Sequence, residues 1–320
     1  MKKILLLSLI SLTGFGHGFD EWYSSLNDDQ KKLVDYEFSS KDRKDWHYIP
    51  MDKRKGLVIS DMTKKQKDDM FHLMSHIFSE QGMAKIKAVI EMEKVLKEYE
   101  GDHRDPDKFY FTLFGKPYQG KWGFSFEGHH ISLNFTFEGK ELISGTPLFY
   151  GANPATILPN KSSVLKEGER PLAFAEDAAL ALLNSMSEDQ KKSAWNTKIQ
   201  MRDMKEARQG SPGKYDPAGI TYKQLNPTQQ QALDELIRKA YINDLNPIFA
   251  EKAWNKIKAT KDSIRFTYYG AASLTEPHHY QIIGEDLVLL LFNVQNGTQK
   301  TPVNHVHQLW RSRSLDFGGK

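Results

Sequence analysis

Two stretches of this chain follow one plan in the same order, and that repetition constrains the fold more than any other feature. Gly56-Leu57-Val58-Ile59-Ser60-Asp61-Met62-Thr63-Lys64-Lys65-Gln66 has a counterpart in Gly219-Ile220-Thr221-Tyr222-Lys223-Gln224-Leu225-Asn226-Pro227-Thr228-Gln229. Each leads into helical periodicity. In the first copy Thr63 caps a pattern of Met70, Leu73, Met74, Ile77 and Phe78, and a second helix follows Gly82 with Ile86, Val89, Met92, Val95 and Leu96 on its buried side. The helices give way to Phe109-Tyr110-Phe111-Thr112-Leu113-Phe114-Gly115 in one copy and Ile264-Arg265-Phe266-Thr267-Tyr268-Tyr269-Gly270 in the other. Setting Gly128 against Gly284 then places Ile131-Ser132-Leu133 opposite Leu287-Val288-Leu289. Amphipathic segments can coincide by chance, but here the order of cap, helices, Phe-Thr strand and glycine hairpin is kept. An α+β fold is expected, in which two internally repeated helix-pair-plus-antiparallel-strand units, about 56–137 and 219–310, pack with pseudo-twofold symmetry and are joined by a loop and helical linker. Interfaces between such halves often hold ligands.

A chain of 320 residues, 39% hydrophobic and 12% aromatic, can bury a full core, and residues 19–320 read as one domain. Met1 to Gly18 has the pattern of a secretory signal: Lys2 and Lys3, an apolar run from Ile4 to Leu12, and a small-x-small site at Gly16-His17-Gly18. Cleavage after Gly18 would leave Phe19 first, and a cut after Gly16 would instead expose His17. The apolar run is short for a membrane span and no later stretch reads as one. An exported protein, periplasmic or extracellular, is expected. Loss of residues 1–18 removes two lysines and no acid, taking the net charge from +3 to +1. A near-neutral chain argues against nucleic acid as partner. The absence of cysteine excludes disulfides, thiolate metal sites, cysteine nucleophiles and a lipidated cysteine.

Before the first copy, Asp20 to Phe38 carries helical spacing with Asn27 or Asp28 as cap, and Arg43-x-x-Trp46-x-Tyr48-x-Pro50-x-x-x-Arg54 reads as extended chain. Its two arginines either pair at the surface or bind an anion. Between the copies, Pro147 to Gly168 reads as a loop and Ala173 to Met186 and Ser187 to Trp195 as helices.

The chemistry concentrates in histidines that the copies do not share. His129 and His130 align with Glu285 and Asp286, while His305 and His307 close the second copy only. In a strand, positions i and i+2 share a face, so His305 and His307 project together. His129 and His130, if they sit in a regular strand, project to opposite faces, with Asn134 on the side of His130. Three histidines with a carboxylate or water suit zinc, copper or iron. The alternatives are hydrogen-bonded structural histidines, or metal-free acid/base or ligand-binding residues. His72 and His76 stand i, i+4 apart but lack the acidic residue of the zinc-protease motif, and His278-His279, just after Pro277, could as easily be a loop pair, its role left open. No Gly-x-Ser-x-Gly elbow or phosphate-binding glycine loop is present.

Arg43-x-x-Trp46-x-Tyr48-x-Pro50-x-x-x-Arg54-x-Gly56, Arg104-Asp105-Pro106, Phe114-Gly115-Lys116-Pro117, Gly128-His129-His130-Ile131-Ser132-Leu133-Asn134, Gly151-Ala152-Asn153-Pro154 and Asn304-His305-Val306-His307-x-x-Trp310-Arg311 together resemble the DUF3500 family of uncharacterised, often exported proteins. The resemblance spans nearly the whole mature chain and implies that these His, Arg and Asn positions belong to the family signature. There is one departure. Where the family pattern has carboxylates near positions 290 and 292, this chain has Leu290 and Phe292, whereas Asn293 and Gln295 fit. A family site that used those carboxylates would lack them here.

The resulting expectation is an exported enzyme with a site between the two repeats, a metal-dependent hydrolase acting on a small, anionic molecule. His129, His130, His305 and His307 would hold a divalent transition metal such as zinc or copper, Asn134 would orient a ligand or substrate, and Arg43, Arg54, Arg104 and Arg311 would bind anionic groups. The rival is a non-catalytic binding or scaffold protein in which the same residues form a buried polar network.

Overall fold

A computed structural model describes residues 18–204, 210–215 and 218–319; the expected leader lies outside the described residues except for Gly18. Helix α1 (Asp28–Val34) starts at an Asn27 cap and leads into strand β1 (Asp35–Tyr36). Strand β2 (Leu57–Val58) precedes helices α2 (Lys64–Ser75) and α3 (Glu80–Glu100). Strands β3 (Tyr110–Phe114), β4 (Lys121–Gly128), β5 (Ile131–Glu138), β6 (Glu141–Ser144) and β7 (Leu148–Ala152) follow. After helices α4 (Ala173–Asn184) and α5 (Glu188–Ala194) come β8 (Trp195–Asn196), β9 (Ile220–Thr221), α6 (Pro227–Ala240) and α7 (Pro247–Ala259). Strands β10 (Arg265–Gly270), β11 (His278–Ile283), β12 (Val288–Asn293) and β13 (Val306–Arg311) complete the chain.

The described strands form one sheet in the order β1-β3-β4-β5-β7-β13-β12-β11-β10-β8, with β2 also on β3, β6 on β5 and β9 on β10. The long strands pair antiparallel, and only the short β1 and β8 run parallel to their neighbours. The mixed α+β architecture is therefore as expected. Alternation along each strand separates two faces. One carries Phe111, Phe126, Leu133, Tyr150, Val306, Leu291, Ile282 and Phe266 into a core completed by helix residues such as Met70, Leu73, Ile86, Val89, Leu233 and Leu236. The other face presents Phe149, Leu309, Leu290 and Phe292, which irregular chain covers through Trp46, Tyr48, Met204 and Phe317. Burying a side chain of the size of Phe149 contributes about 1.5–3 kcal/mol, so this second cluster anchors the Trp46–Tyr48 segment firmly against the middle of the sheet.

Three local expectations are corrected. Helix α3 begins at Glu80 under a Ser79 cap, not after Gly82. Gly82 lies in its first turn, where only glycine fits because a Cβ would meet the Asp244 carbonyl oxygen at 2.1 Å. The Pro147–Gly168 segment is not all loop, since it holds β7, the strand that joins β5 to β13 at the centre of the sheet. Its glycine, proline and asparagine content masked a five-residue run, Leu148-Phe149-Tyr150-Gly151-Ala152, with no polar side chain apart from a tyrosine hydroxyl. His278 and His279 are strand residues of β11, both buried, not a loop pair.

A candidate metal centre at a hairpin turn

His129 and His130 are not in a strand. Gly128 and Ile131 face each other across the β4–β5 hairpin, and the two histidines form the turn between them. The turn places His130 at φ 61°, a left-handed conformation that a residue with a Cβ adopts at a cost of roughly 1–2 kcal/mol. Its backbone is held from both sides: the N–H donates to the Tyr48 carbonyl at 2.8 Å, and the carbonyl accepts from Gly151 N–H at 2.8 Å. The ring lies over Gly151, where a Cβ would come within 2.7 Å of His130 Cδ2. Gly151 pairs with His307 of β13, so the absence of a side chain on β7 lets the two imidazoles meet across that strand.

His305 stands just before β13, and its backbone N–H donates to Asn293 Oδ1 at 3.3 Å. The loops that present it are stapled by asparagines. Thr298 N–H donates to Asn153 Oδ1 at 2.8 Å and Thr156 N–H to Asn304 Oδ1 at 2.6 Å. The three Nε2 atoms converge: His130 to His305 is 2.8 Å, His305 to His307 is 3.0 Å and His130 to His307 is 3.4 Å. Tetrahedral zinc with nitrogen ligands at about 2.0–2.1 Å sets those ligands roughly 3.3 Å apart, close to this triangle.

The far sides of the rings decide what the near sides can do. His307 Nδ1 lies 2.9 Å from Asp203 Oδ1, and the His305 ring hydrogen-bonds the Asn296 backbone. A neutral imidazole has one N–H, so a ring that donates it outward leaves Nε2 as a bare lone pair. Two such lone pairs 3.0 Å apart repel unless a cation or proton lies between them. Asp203 is itself fixed by Tyr48 Oη at 3.1 Å, Gln295 Nε2 at 3.0 Å and Met204 N–H at 2.8 Å. Tyr48 also stacks on Phe149 at 4.3 Å and sets its ring edgewise to His307 at 5.0 Å.

Charge follows from this packing. Burial, reinforced by the neighbouring histidines, holds His130 far below the ordinary imidazole value. Burial, followed by His307 and His129, pushes His305 down to about 3. Burial raises the Asp203 carboxyl, but hydrogen bonds from His307, Met204 N–H and Tyr48 outweigh it and leave it below the ordinary value. The rings of His130 and His305 are therefore neutral at pH 7, the form that coordinates a metal.

The remaining expected residues lie elsewhere. His129 stacks on His130 at 3.8 Å but turns Nδ1 to Glu93 Oε1, with Arg104 Nη1 3.3 Å away. Burial lowers its proton affinity, and Glu93 works against that. Asn134 Nδ2 donates to Ser132 Oγ at 3.1 Å and to the Pro147 carbonyl at 3.0 Å, which ties β5 to the start of β7. Arg43 donates to the carbonyls of Phe38 and Phe317, and Arg54 to those of His47 and Ile49. Arg311 pairs with Asp316 at 2.5 Å. Arg104 is held by Glu100 at 2.7 Å. Of the four arginines, only Arg104 comes within hydrogen-bond distance of one of the four candidate histidines in a described contact. Sequence reading missed Asp203 and Glu93, and gave Tyr48 no role beyond its place in a motif. Their one available signal was the resemblance, which included Tyr48 and Gln295, the latter a partner of Asp203.

The family model described as "Protein of unknown function (DUF3500)" matches residues 16–319. Neither the curated proteins nor the solved structures compared with this chain gave a significant match. Among the described residues no helix is long and apolar enough to cross a membrane.

Proposed function

The chain belongs to the DUF3500 family, and on that footing we propose that it is an exported, metal-dependent hydrolase whose divalent transition ion is held by Nε2 of His130, His305 and His307. One observation carries this reading. Three imidazole nitrogens converge within 3.4 Å while the rings of His305 and His307 spend their N–H groups on Asn296 and Asp203. Borderline nitrogen ligands without thiolate favour zinc or copper, and a three-histidine set leaves a coordination position for water or substrate. A zinc ion in such a site supplies a nucleophile near neutral pH by acidifying water. Asp203 orients His307 through Nδ1, as carboxylates behind metal-ligating histidines do. His129 and Arg104 act beside the triad, not within it. Arg43, Arg54 and Arg311 position the chain around the site.

The rival reading rests on the 2.8 Å separation of His130 and His305, an ordinary hydrogen-bond length that a proton could bridge in a purely structural cluster. Elemental analysis of tag-free protein beside a His305→Ala/His307→Ala variant separates the two. Near-stoichiometric zinc or copper in the wild type and none in a folded variant supports the metal centre. No metal in either, even after incubation with each ion, leaves the structural cluster.

We also read the two halves as copies related by a pseudo-twofold axis near the β7–β13 pair. Supporting this, Gln66 Nε2 donates to Gln30 Oε1 at 3.0 Å and to the Ser25 carbonyl at 2.7 Å, while Gln229 Nε2 donates to Gln190 Oε1 at 3.0 Å and to the Ser185 carbonyl at 2.9 Å. Between the halves, Ser79 N–H donates to the Asp244 carbonyl at 2.9 Å and Asn246 N–H to the Ile77 carbonyl at 2.8 Å, a reciprocal exchange of the kind a twofold generates.

A further inference from the structure

His129 is the one candidate metal ligand left outside the triad, and it faces a space of its own. A cleft of about 260 Å³ lies between the 50–54 segment, helix α3 and the 103–109 turn, where Arg54, Glu93, His103, Arg104, Phe109 and His129 line it. Glu93 is the closer of the two groups at His129 Nδ1; with the ring N–H directed to its carboxylate, Arg104 Nη1 at 3.3 Å is a contact without a hydrogen bond, and Nε2 of His129 is an acceptor. The side chain is only 8% exposed, yet Nε2 receives no hydrogen bond from any described residue. The same ring stacks on His130, so whatever Nε2 holds lies one imidazole away from the triad.

The charges of the cleft indicate what that is. Arg54 directs two of its nitrogens to the carbonyls of His47 and Ile49, and Arg104 is engaged with Glu100. The cleft sets Arg54, Arg104 and Lys108 against Asp52, Glu93 and Asp105, so its charges balance, and both arginines are already engaged. Acceptors are in surplus. An anion would meet three carboxylates as well as Lys108, whereas a neutral molecule rich in hydroxyl groups could donate to His129 and to the carboxylates. The volume is below the ~300 Å³ at which pockets for drug-sized ligands begin, which limits the occupant to about one sugar ring. We propose that this cleft is a subsite for a small polyhydroxylated molecule of monosaccharide size, one of whose hydroxyls donates to Nε2 of His129. This names a substrate class for the hydrolase reading and rests on that reading for its catalytic meaning, but binding in the cleft does not need the metal.

Saturation-transfer NMR on the mature chain, with glucose, mannose, myo-inositol and glycerol as neutral probes and succinate as the anionic one, tests it with and without zinc. At least one neutral probe is expected to contact the wild type and the His305→Ala/His307→Ala variant alike, and to lose its signal several-fold in His129→Phe. His129→Gln, which retains an acceptor, should keep part of it. Thermal melts establish that each variant is folded, and if His129→Phe is not, His129→Leu, which also lacks an acceptor, replaces it, with loss again expected. No contact from any neutral probe, contact unchanged by loss of the His129 ring, or succinate binding in preference would overturn the subsite. Absence of zinc with sugar contact intact would remove the metal reading alone.

Discussion

At the scale of single residues, His130 does two jobs that conflict. It occupies a left-handed turn position that glycine would fill without strain, and it supplies the most buried nitrogen of the triad. A residue kept in that conformation against its own preference points to a function for the side chain. Replacing it separates the two roles: His130→Gly and His130→Ala both lose metal, but the glycine variant should be the more stable in denaturant melts by about 1 kcal/mol, the relief of the left-handed backbone. Equal stability would mean that the turn relaxes in the alanine variant. Asp203 makes the complementary case, contributing through His307 alone. Asp203→Asn should leave the fold in place while metal affinity, measured by competition with a chelating dye, drops about 10–100-fold.

At the scale of elements, the site exists because a hairpin turn, the bare backbone of Gly151 on β7 and the start of β13 lie side by side. Alternation correctly placed His305 and His307 on one side, because that pairing depends only on neighbours in sequence. It failed for His129 and His130, because a two-residue hairpin turn between Gly128 and Ile131 looks like continuous strand when the residues filling it are not glycine or asparagine. Asp203 and Glu93 could not be singled out at all. They are ordinary acids until a linker and a helix bring them against histidines 104 and 36 positions away. Arg43 and Arg54 stood out in the sequence, and their partners here include backbone carbonyls of the irregular chain covering the sheet. The helix caps were readable, as Thr63 with Gln66 and Asn226 with Gln229 form capping boxes at corresponding places. If the halves are copies, Gln66→Ala and Gln229→Ala each strand the amide of a glutamine partner, buried Gln30 and half-buried Gln190, and should destabilise the protein by similar amounts, about 1–3 kcal/mol in urea melts. A large effect at one position and none at the other would count against equivalence.

At the scale of the whole molecule, buried histidines couple the fold to pH. Burial comes first in lowering His130, His279 and His305 below the ordinary imidazole value, to about 3 for the last two. Such a group binds a proton on unfolding, so between the folded and unfolded values the unfolded chain carries more protons and stability rises with pH. The contribution is fully present above about pH 6.5 and is lost as pH falls toward about 3, by up to about 1.4 kcal/mol per pH unit for each histidine. Metal-free protein should therefore unfold at a lower urea concentration at pH 5 than at pH 7, with a shallower dependence once His305 is alanine. A stability flat across that range would show that these imidazoles are not buried neutral. The triad joins β13 of the second half to the hairpin of the first across β7, so a bound ion would also link the two halves of the sheet. X-ray absorption at the zinc edge of the zinc-reconstituted protein tests for that ion most directly. The predicted spectrum has a first shell with three imidazole nitrogens at about 2.0–2.1 Å and the outer-shell scattering of their rings, both lost in His305→Ala/His307→Ala. A protein that takes up no zinc, or zinc in an oxygen-only shell unaffected by the substitutions, would contradict it.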